Sequence, residues 1–236
     1  NSAVAVSSAL IVSNTITVQS GAVLAMQVRA FPAQVSAGHD FLVTVTITNT
    51  GQAAVAGFAL EPFTITGTGS LSAGTGPTPA FPASLAGGSS VTLTWTYTGI
   101  SAGGFGFSTT ASGIDANSGA AVTTGLRLSN GGLIQVPASL ASMMAVYGGA
   151  VLSAGQTFLV TLTVTNTGGA TASTLNVDSI VHAPAGVATQ TAGPTPAVPG
   201  SLAGGASVTL TWTFTGAASG TTALSTTASG SDQNSG

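Results

Sequence analysis

The chain contains one internal repeat, and this repeat restricts its fold more than any other feature of the sequence. A shift of 117 positions superposes residues 37–119 on residues 154–236 without a gap, and 44 of the 83 aligned positions are identical. Trp95 falls on Trp212 in this alignment. Two copies of this length predict two homologous domains, here called the first repeat and the second repeat.

Apolar and polar residues alternate with a period of two within each repeat. Val91, Leu93, Trp95 and Tyr97 are separated by threonines, and the second repeat has the same pattern. Such alternation indicates antiparallel strands with one buried face and one solvated face. Glycine-rich turns separate the strands, and no stretch has a helical period. The sequence therefore predicts an all-β fold of two tandem immunoglobulin-like (Ig-like) β-sandwich domains.

Charged side chains are almost absent, which excludes several classes of partner. They make up 3% of the 236 residues, only two of them are basic, and the formal net charge is −3. Two cations cannot neutralise a phosphate backbone, so we expect no nucleic-acid partner. The longest apolar stretches are rich in Gly and Ser, so we expect no membrane span. The absence of cysteine excludes disulfides and thiolate metal sites.

The titratable residues do not form a recognisable catalytic pattern. His39 and His182 occupy non-equivalent positions in the two repeats, which favours surface or loop histidines. Residues 99–103 match the G-x-S-x-G pattern, but no strand-to-helix turn surrounds them, and the second repeat has Ala218 at the position of the serine. We therefore expect no catalytic residue, no cofactor and no metal, and predict that the chain is not an enzyme.

Asp115 and Asp232 occupy equivalent positions, next to Asn117 and Asn234. An Asp in such a Gly- and Asn-containing hairpin favours an Asx-type turn, in which the side chain binds backbone N–H groups. A calcium site is the alternative, because Asn and backbone oxygens could join the carboxylate, although calcium takes six or more oxygen ligands.

Three segments of the second repeat carry a family resemblance. They read SAGQTFLVTLTVTNTGGATAS (153–173), SLAGGASVTLTWTF (201–214) and TTASGSDQNSG (226–236), and the first repeat carries the first motif as SAGHDFLVTVTITNTG (36–51). These motifs resemble the Ig-like modules of bacterial and archaeal surface proteins, in particular the CARDB-like and DUF11-like families. The resemblance implies an Ig-like fold, a structural or adhesive role, and an extracellular or cell-surface location.

The order of the segments predicts an exchange of strands between units. The final strand of the first domain is expected at 119–129, and residues 3–13 resemble it although no domain precedes them. The second domain stops before its equivalent strand. The predicted organisation is a donor or linking strand (1–14), a first domain (15–130), and a second domain (131–236) whose final strand comes from the next unit.

This organisation predicts the residues of a joint between units. The expected donor side chains are Val4, Val6, Leu10 and Val12. The expected acceptor side comprises Trp212, Leu224 and Thr226. The partner is then the chain itself, as a head-to-tail homopolymer, or the next repeat of a longer tandem array; both remain open.

The function predicted from these observations is a structural subunit or repeat segment of an extracellular filament. The alternative is an adhesin or carbohydrate-binding stalk module whose partners are surface glycans. Its ligand surface would lie in residues 57–76 and 174–193, the segments in which the two repeats differ most. An aromatic-lined groove in these segments would favour the alternative.

Overall fold

The computed structural model describes residues 3–149 and 151–235. Asn1, Ser2, Ala150 and Gly236 lie outside the described residues, so the first two residues of the predicted donor strand 1–14 and the last residue of the predicted second domain do too. No helix in the described part of the chain is long and apolar enough to cross a membrane.

The regular secondary structure of the first repeat is entirely β-strand, as the alternation predicted. Its strands are β1 (Leu24–Phe31), β2 (Gln34–Ser36), β3 (Asp40–Asn49), β4 (Val55–Leu60), β5 (Thr64–Gly67), β6 (Ser70–Leu71), β7 (Thr75–Thr78), β8 (Ser84–Leu85), β9 (Ser90–Ser101), β10 (Gly103–Thr109), β11 (Ala111–Asp115), β12 (Ala121–Thr123), β13 (Arg127–Leu128) and β14 (Gly132–Gln135).

The second repeat is also built of strands, which confirms the all-β fold for the described residues. Its strands are β15 (Leu140–Tyr147), β16 (Thr157–Asn166), β17 (Ala172–Val177), β18 (Val181–Ala183), β19 (Ala188–Thr195), β20 (Ser201–Leu202), β21 (Ser207–Gly216), β22 (Ala223–Ser225) and β23 (Ala228–Asp232).

Alternating side chains of the long strands build two hydrophobic cores, one in each repeat. Phe41, Val43, Val45 and Ile47 of β3 are buried, whereas the threonines between them are partly exposed. β3 pairs with β1 and β9, and β16 pairs in the same registers with β15 and β21. Side chains from β4, β10 and β11 complete the first core. The arrangement is compatible with the predicted β-sandwiches.

A fully buried asparagine closes the turn after each central strand. The side-chain Oδ1 of Asn49 accepts hydrogen bonds from the N–H groups of Val23 (3.2 Å) and Gly51 (3.1 Å). Its Nδ2 donates to the carbonyls of Ala53 (2.8 Å) and Leu85 (3.1 Å). The counterpart asparagine of the second repeat makes the same four bonds. All four hydrogen-bonding positions of the amide are thus used inside the protein.

The last strand of the first repeat runs further than the sequence predicted. It is divided into β12, β13 and β14, whereas the prediction placed one strand at 119–129 and a domain boundary at 130. β14 pairs antiparallel with β10 and parallel with β2, and Ile134 within it is only 1% exposed. Ile134 of β14 therefore belongs to the core of the first repeat, although it lies beyond residue 130, the predicted end of the first domain.

Candidate functional site: an open groove in the second repeat

The segment that precedes β1 exposes seven large apolar side chains to solvent. Residues 3–18, all within the described part of the chain, form no regular secondary structure. Their exposed side chains are Val4, Val6, Leu10, Ile11, Val12, Ile16 and Val18. Soluble proteins seldom leave such a series of aliphatic residues without a partner, so it indicates an interaction segment.

The same segment is the counterpart of the strand that closes the first repeat. A shift of 116 places residues 3–19 on 119–135, and β1 on β15. The structure supports this shift, because Gln19 accepts a hydrogen bond from Asn117 (2.8 Å) just as Gln135 accepts one from Asn234 (2.7 Å). Val18 is then the counterpart of Ile134. Counterpart positions differ by 116 up to β1 and by 117 from β2 onward.

Ile134 fills a narrow site between β2 and β10 in the first repeat. It lies opposite Gly103 in the antiparallel ladder and opposite Val35 in the parallel one. A β-carbon placed on Gly99 would lie 3.1 Å from the Ile134 side chain, so the absence of a side chain at Gly99 makes room for it.

Two polar side chains between β13 and β14 also bind the backbone of the first repeat; residues 119–135, which include both, are here called the closing strand. The amide of Asn130 accepts a hydrogen bond from the N–H of Ala30 (2.8 Å) and donates one to its carbonyl (3.0 Å). Ser129 donates its N–H to the carbonyl of Phe107 (2.8 Å), and its hydroxyl accepts from the N–H of Phe107 (3.0 Å). These bonds depend on the backbone of β1 and β10 rather than on their side chains.

The second repeat has an open groove at the place that Ile134 occupies in the first. The groove, here called the acceptor groove, is a cavity of about 590 Å³. Its lining includes Met144, Leu152, Phe158, Gly216, Gly220 and Leu224. Gly216 and Gly220 are the counterparts of Gly99 and Gly103, so the two glycines that accommodate Ile134 are both present.

On the side that faces the acceptor groove, neither residues 151–153 nor β22 pairs with a strand in the described part of the chain, although β22 pairs with β18 on its other side, as β10 pairs with β5. Residues 151–153 form no strand, whereas their counterpart β2 pairs with β14. β22 spans three residues, whereas its counterpart β10 spans seven. Leu152 is half-buried, while its counterpart Val35 is buried. The two edges of the acceptor groove are thus shorter and less regular than β2 and β10, as expected of strands that have no closing strand between them.

The predicted acceptor residues have different positions relative to this groove. Leu224 lines it. Thr226 is half-buried beyond its end and donates its hydroxyl hydrogen bond to the carbonyl of Asp178 (2.6 Å). Trp212 is a core side chain, 4% exposed, and does not line the groove. The structure thus brings one of the three to the groove.

The predicted donor residues are exposed, and their counterparts show which of them could be buried. Val122, the counterpart of Val6, packs against the first core. Leu126 and Leu128, the counterparts of Leu10 and Val12, are 64% and 72% exposed. Ala120, the counterpart of Val4, is exposed too.

Sequence reasoning missed Val18 and Asn14, the counterparts of Ile134 and Asn130. The signal was present, because the alignment of the two segments continues past Ser13 to the glutamines at 19 and 135. It was overlooked because a single strand was expected to end at residue 129.

The two equivalent aspartates form the predicted Asx turns and also anchor the chain before the next strand. Asp115 Oδ2 accepts from Ala22 N–H (2.6 Å), and Oδ1 accepts from the N–H groups of Asn117 and Ser118 (both 2.9 Å). The bond from Ala22, followed by those from Ser118 and Asn117, lowers the pKa of Asp115 to about 2.

Asp232 repeats this turn and adds a contact between the repeats. It accepts from Ala138 N–H (2.6 Å), from Asn234 N–H (2.7 Å) and, with both oxygens, from the Ser36 hydroxyl (2.9 Å each). Burial raises the pKa of Asp232, but these hydrogen bonds outweigh it and the net shift is downward. Ser36 lies in β2, so the edge of the first repeat is tied to the hairpin of the second.

The described residues do not support the alternative calcium site, and the two histidines lie in different parts of the fold. The oxygens of both aspartates already accept N–H groups, which does not suit the alternative calcium site, and no three His, Cys, Asp or Glu side chains in 3–149 and 151–235 are grouped to hold a metal. His39 lies in the turn before β3. His182 differs from the predicted surface or loop position, because it is half-buried within β18.

A second concave site is lined partly by the divergent segment of the first repeat, residues 57–76, and partly by residues after it, including two on β9. It is a cavity of about 550 Å³ whose aromatic lining residues are Phe58, Phe63, Phe81, Trp95 and Tyr97. Trp95, which the alternation placed on the buried face of its strand, is half-buried at this groove. The counterparts of the three phenylalanines are Leu175, Ile180 and Val198, so the aromatic groove belongs to the first repeat alone.

Comparison with known proteins gives no family for the chain. No protein-family model matches it, and no curated protein matches it. Among solved structures, the secreted serine protease VesC from Vibrio cholerae is similar to 87% of this chain with 13% sequence identity and a TM-score of 0.30. The chain spans about half the length of that protein, 50%. A similarity this low carries no argument about activity, and the absence of enzymatic activity stays a prediction.

Proposed function

We propose that the chain is a structural subunit or repeat segment of an extracellular filament, in which a strand of one unit completes the second repeat of another. The observation that carries this proposal is the acceptor groove, which lies where the first repeat holds its closing strand. The exposed segment before β1 is the counterpart of that strand. Groove and segment are therefore two halves of one joint.

The geometry of this joint leads to a chain of units. The segment and the groove are different surfaces, so the contact is heterologous, and it does not close unless its rotation forms a ring. An open groove also leaves unpaired backbone groups at a sheet edge, which favours the addition of a strand. The same pairing joins separate chains in a homopolymer or successive repeats in a longer array.

The size of the purified chain tests this proposal. We expect light scattering to show oligomers that grow with concentration, and electron microscopy to show filaments with an axial repeat on the order of 70–90 Å for two sandwiches end to end. Removing residues 3–18 should give a monomer of unchanged strand content. A full chain that stays monomeric at all concentrations would overturn the proposal.

Adhesion to surface glycans is the second candidate function, and the aromatic groove of the first repeat favours it. Aromatic side chains stack on the apolar faces of sugars, and Glu61 at the groove is an exposed hydrogen-bond acceptor. A glycan array should then show binding that Phe81→Ala removes. Val198→Ala, at the counterpart position of the second repeat, is the matched control and should leave binding unchanged.

A further inference from the structure

We propose that residues 10–19 of a second copy occupy the acceptor groove in one fixed register, with Val18 in the place of Ile134 and Ile16 against Thr222. The inference rests on the proposed function, because it names the segment, the register and the residues that decide which groove is filled. Residues 10–19 are here called the donor segment.

The anchor of this register is Val18. Its counterpart Ile134 is 1% exposed within the first repeat, whereas Val18 is 88% exposed in the single chain. Both residues are β-branched, and the glycines that leave room for Ile134 have counterparts at the acceptor groove in Gly216 and Gly220. The groove therefore has the shape that a β-branched side chain at position 18 requires.

A reciprocal exchange of large and small residues matches the donor segment to the second repeat. In the first repeat the ring of Phe105 lies over Gly132, and a β-carbon on Gly132 would lie 2.1 Å from that ring. The counterpart of Phe105 is Thr222, which lines the acceptor groove, and the counterpart of Gly132 is Ile16. In the first repeat the large ring of Phe105 faces a glycine. In the proposed joint the smaller Thr222 would face the large side chain of Ile16.

This exchange has a consequence for specificity. Ile16 would collide with Phe105 in the first groove, since even a β-carbon does not fit there. Gly132 would leave a void beside Thr222 in the second. The donor segment is therefore adapted to the second repeat, and the strand that closes the first repeat is not.

The polar groups of the donor segment fit the same register. Asn14 and Ser13 are the counterparts of Asn130 and Ser129, which bind the backbone of Ala30 and Phe107. Their targets would be the backbone groups of Val146 and Leu224. Both targets are partly exposed or groove-lining residues in the single chain. The second repeat has Val146 where the first has Ala30, and Leu224 where the first has Phe107. These differences do not affect the proposed hydrogen bonds, because the bonds are made to backbone groups.

The register before residue 10 does not follow from the same comparison. Gly125 adopts a left-handed backbone with φ of 64°, and its counterpart is Ala9. An alanine disfavours this conformation, because its β-carbon crowds the carbonyl oxygen that follows. The proposal is therefore confined to residues 10–19.

A double-mutant cycle in the full chain tests this inference. Thr222→Phe should place a ring where Ile16 lies and weaken polymerisation at least about 10-fold, as should Ile16→Gly, which leaves a void. The double variant restores the pair seen in the first repeat and should polymerise within about 3-fold of the wild type. Thermal unfolding of each variant checks that the repeats are folded.

The outcomes separate the register from the proposed function. Polymerisation of the wild type without rescue in the double variant would overturn the register and leave the filament proposal standing. A wild type that stays monomeric would overturn both.

Cysteine cross-linking provides a second measurement, because the chain has no cysteine of its own. Thr17 and Thr221 are the counterparts of Leu133 and Gly104, which face each other in the ladder of the first repeat. Oxidation of the variant with Thr17→Cys and Thr221→Cys should give a ladder of linked chains. Thr17→Cys with Ser225→Cys is out of register and should stay unlinked; a ladder from this control instead would refute the pairing.

Discussion

Asp115 binds the backbone N–H of Ala22 at 2.6 Å, across 93 residues of chain, and so joins the hairpin after β11 to the segment entering β1. The same bond links Asp232 to Ala138 in the second repeat. Each carboxylate therefore holds the segment that enters the first long strand of its repeat to the turn that follows β11 or β23. Because both accept N–H groups as anions, their protonation breaks this connection.

The pH dependence of stability should reflect this bond. The pKa of Asp115 is lowered in the folded state to about 2, so its contribution is fully present above the unfolded value of ~3.9 and is lost as the pH falls toward 2. Urea unfolding of the wild type should show a stability that declines between about pH 4 and 2. Asp115→Asn should show less decline, and the double variant with Asp232→Asn should show less still, because the pKa of Asp232 is lowered in the folded state too.

Assembly should be insensitive to ions over a wide range. Seven charged residues in 236 leave few groups to be screened or titrated on association. We expect sedimentation to show the same degree of polymerisation from pH 4 to 9 and from low salt to about 1 M. Filaments that dissolve inside these limits would show that charge pairs hold the joint.

Two substitutions in the donor segment separate the register inferred from the structure from the one expected from the sequence. Val18→Asp should abolish polymerisation, because full burial of such a side chain contributes roughly 1.5–3 kcal/mol and a buried carboxylate opposes binding. Val12→Asp should be tolerated, since its counterpart Leu128 is 72% exposed. Light scattering at matched concentrations distinguishes them. Loss of assembly with Val12→Asp alone would favour the donor residues expected from the sequence.

The buried asparagines should be sensitive to the smallest change. Asn166→Asp replaces a donor facing the carbonyls of Ala170 (2.8 Å) and Leu202 (2.9 Å) by an acceptor. Each unsatisfied buried group costs about 1–3 kcal/mol, so denaturant unfolding should show a loss of at least about 2 kcal/mol. Gln190→Glu, the same amide-to-carboxylate change at an exposed position with no side-chain hydrogen bond in the described part of the chain, should change the free energy of unfolding by no more than about 0.5 kcal/mol.

A bulge in β17 offers a gain in stability. Thr174 has φ of 51°, in the left-handed region that β-branched residues avoid, and its counterpart Gly57 has φ of 55°. Thr174→Gly should stabilise the second repeat by about 0.5–1 kcal/mol, after the extra freedom of glycine in the unfolded chain is subtracted. Gly57→Thr is the reverse control and should destabilise the first repeat. Calorimetry should show a higher unfolding temperature for Thr174→Gly and a lower one for Gly57→Thr.

The strands were predictable because their signal is local. Alternation in β3 and β9 reports directly which face is buried, and the repeat places the same strands in both halves. The buried residues of the closing strand were harder to predict, because their burial depends on the residues of β2 and β10 that lie against them. Leu126 and Leu128, the counterparts of the predicted donor residues Leu10 and Val12, are exposed where the strand breaks around Gly125. Trp95 and Trp212 are identical in sequence context, but the aromatic groove leaves only the first half-buried.

If the donor segment of one chain fills the acceptor groove of another, as we propose, the filament has two chemically different ends. One end presents an unoccupied groove, and the other presents an unattached segment. A free peptide of residues 10–19 would then act as a chain terminator at the first end, while a chain without this segment would cap the other. Growth at each end is thus open to separate control, and the length of the polymer would follow from the ratio of caps to subunits.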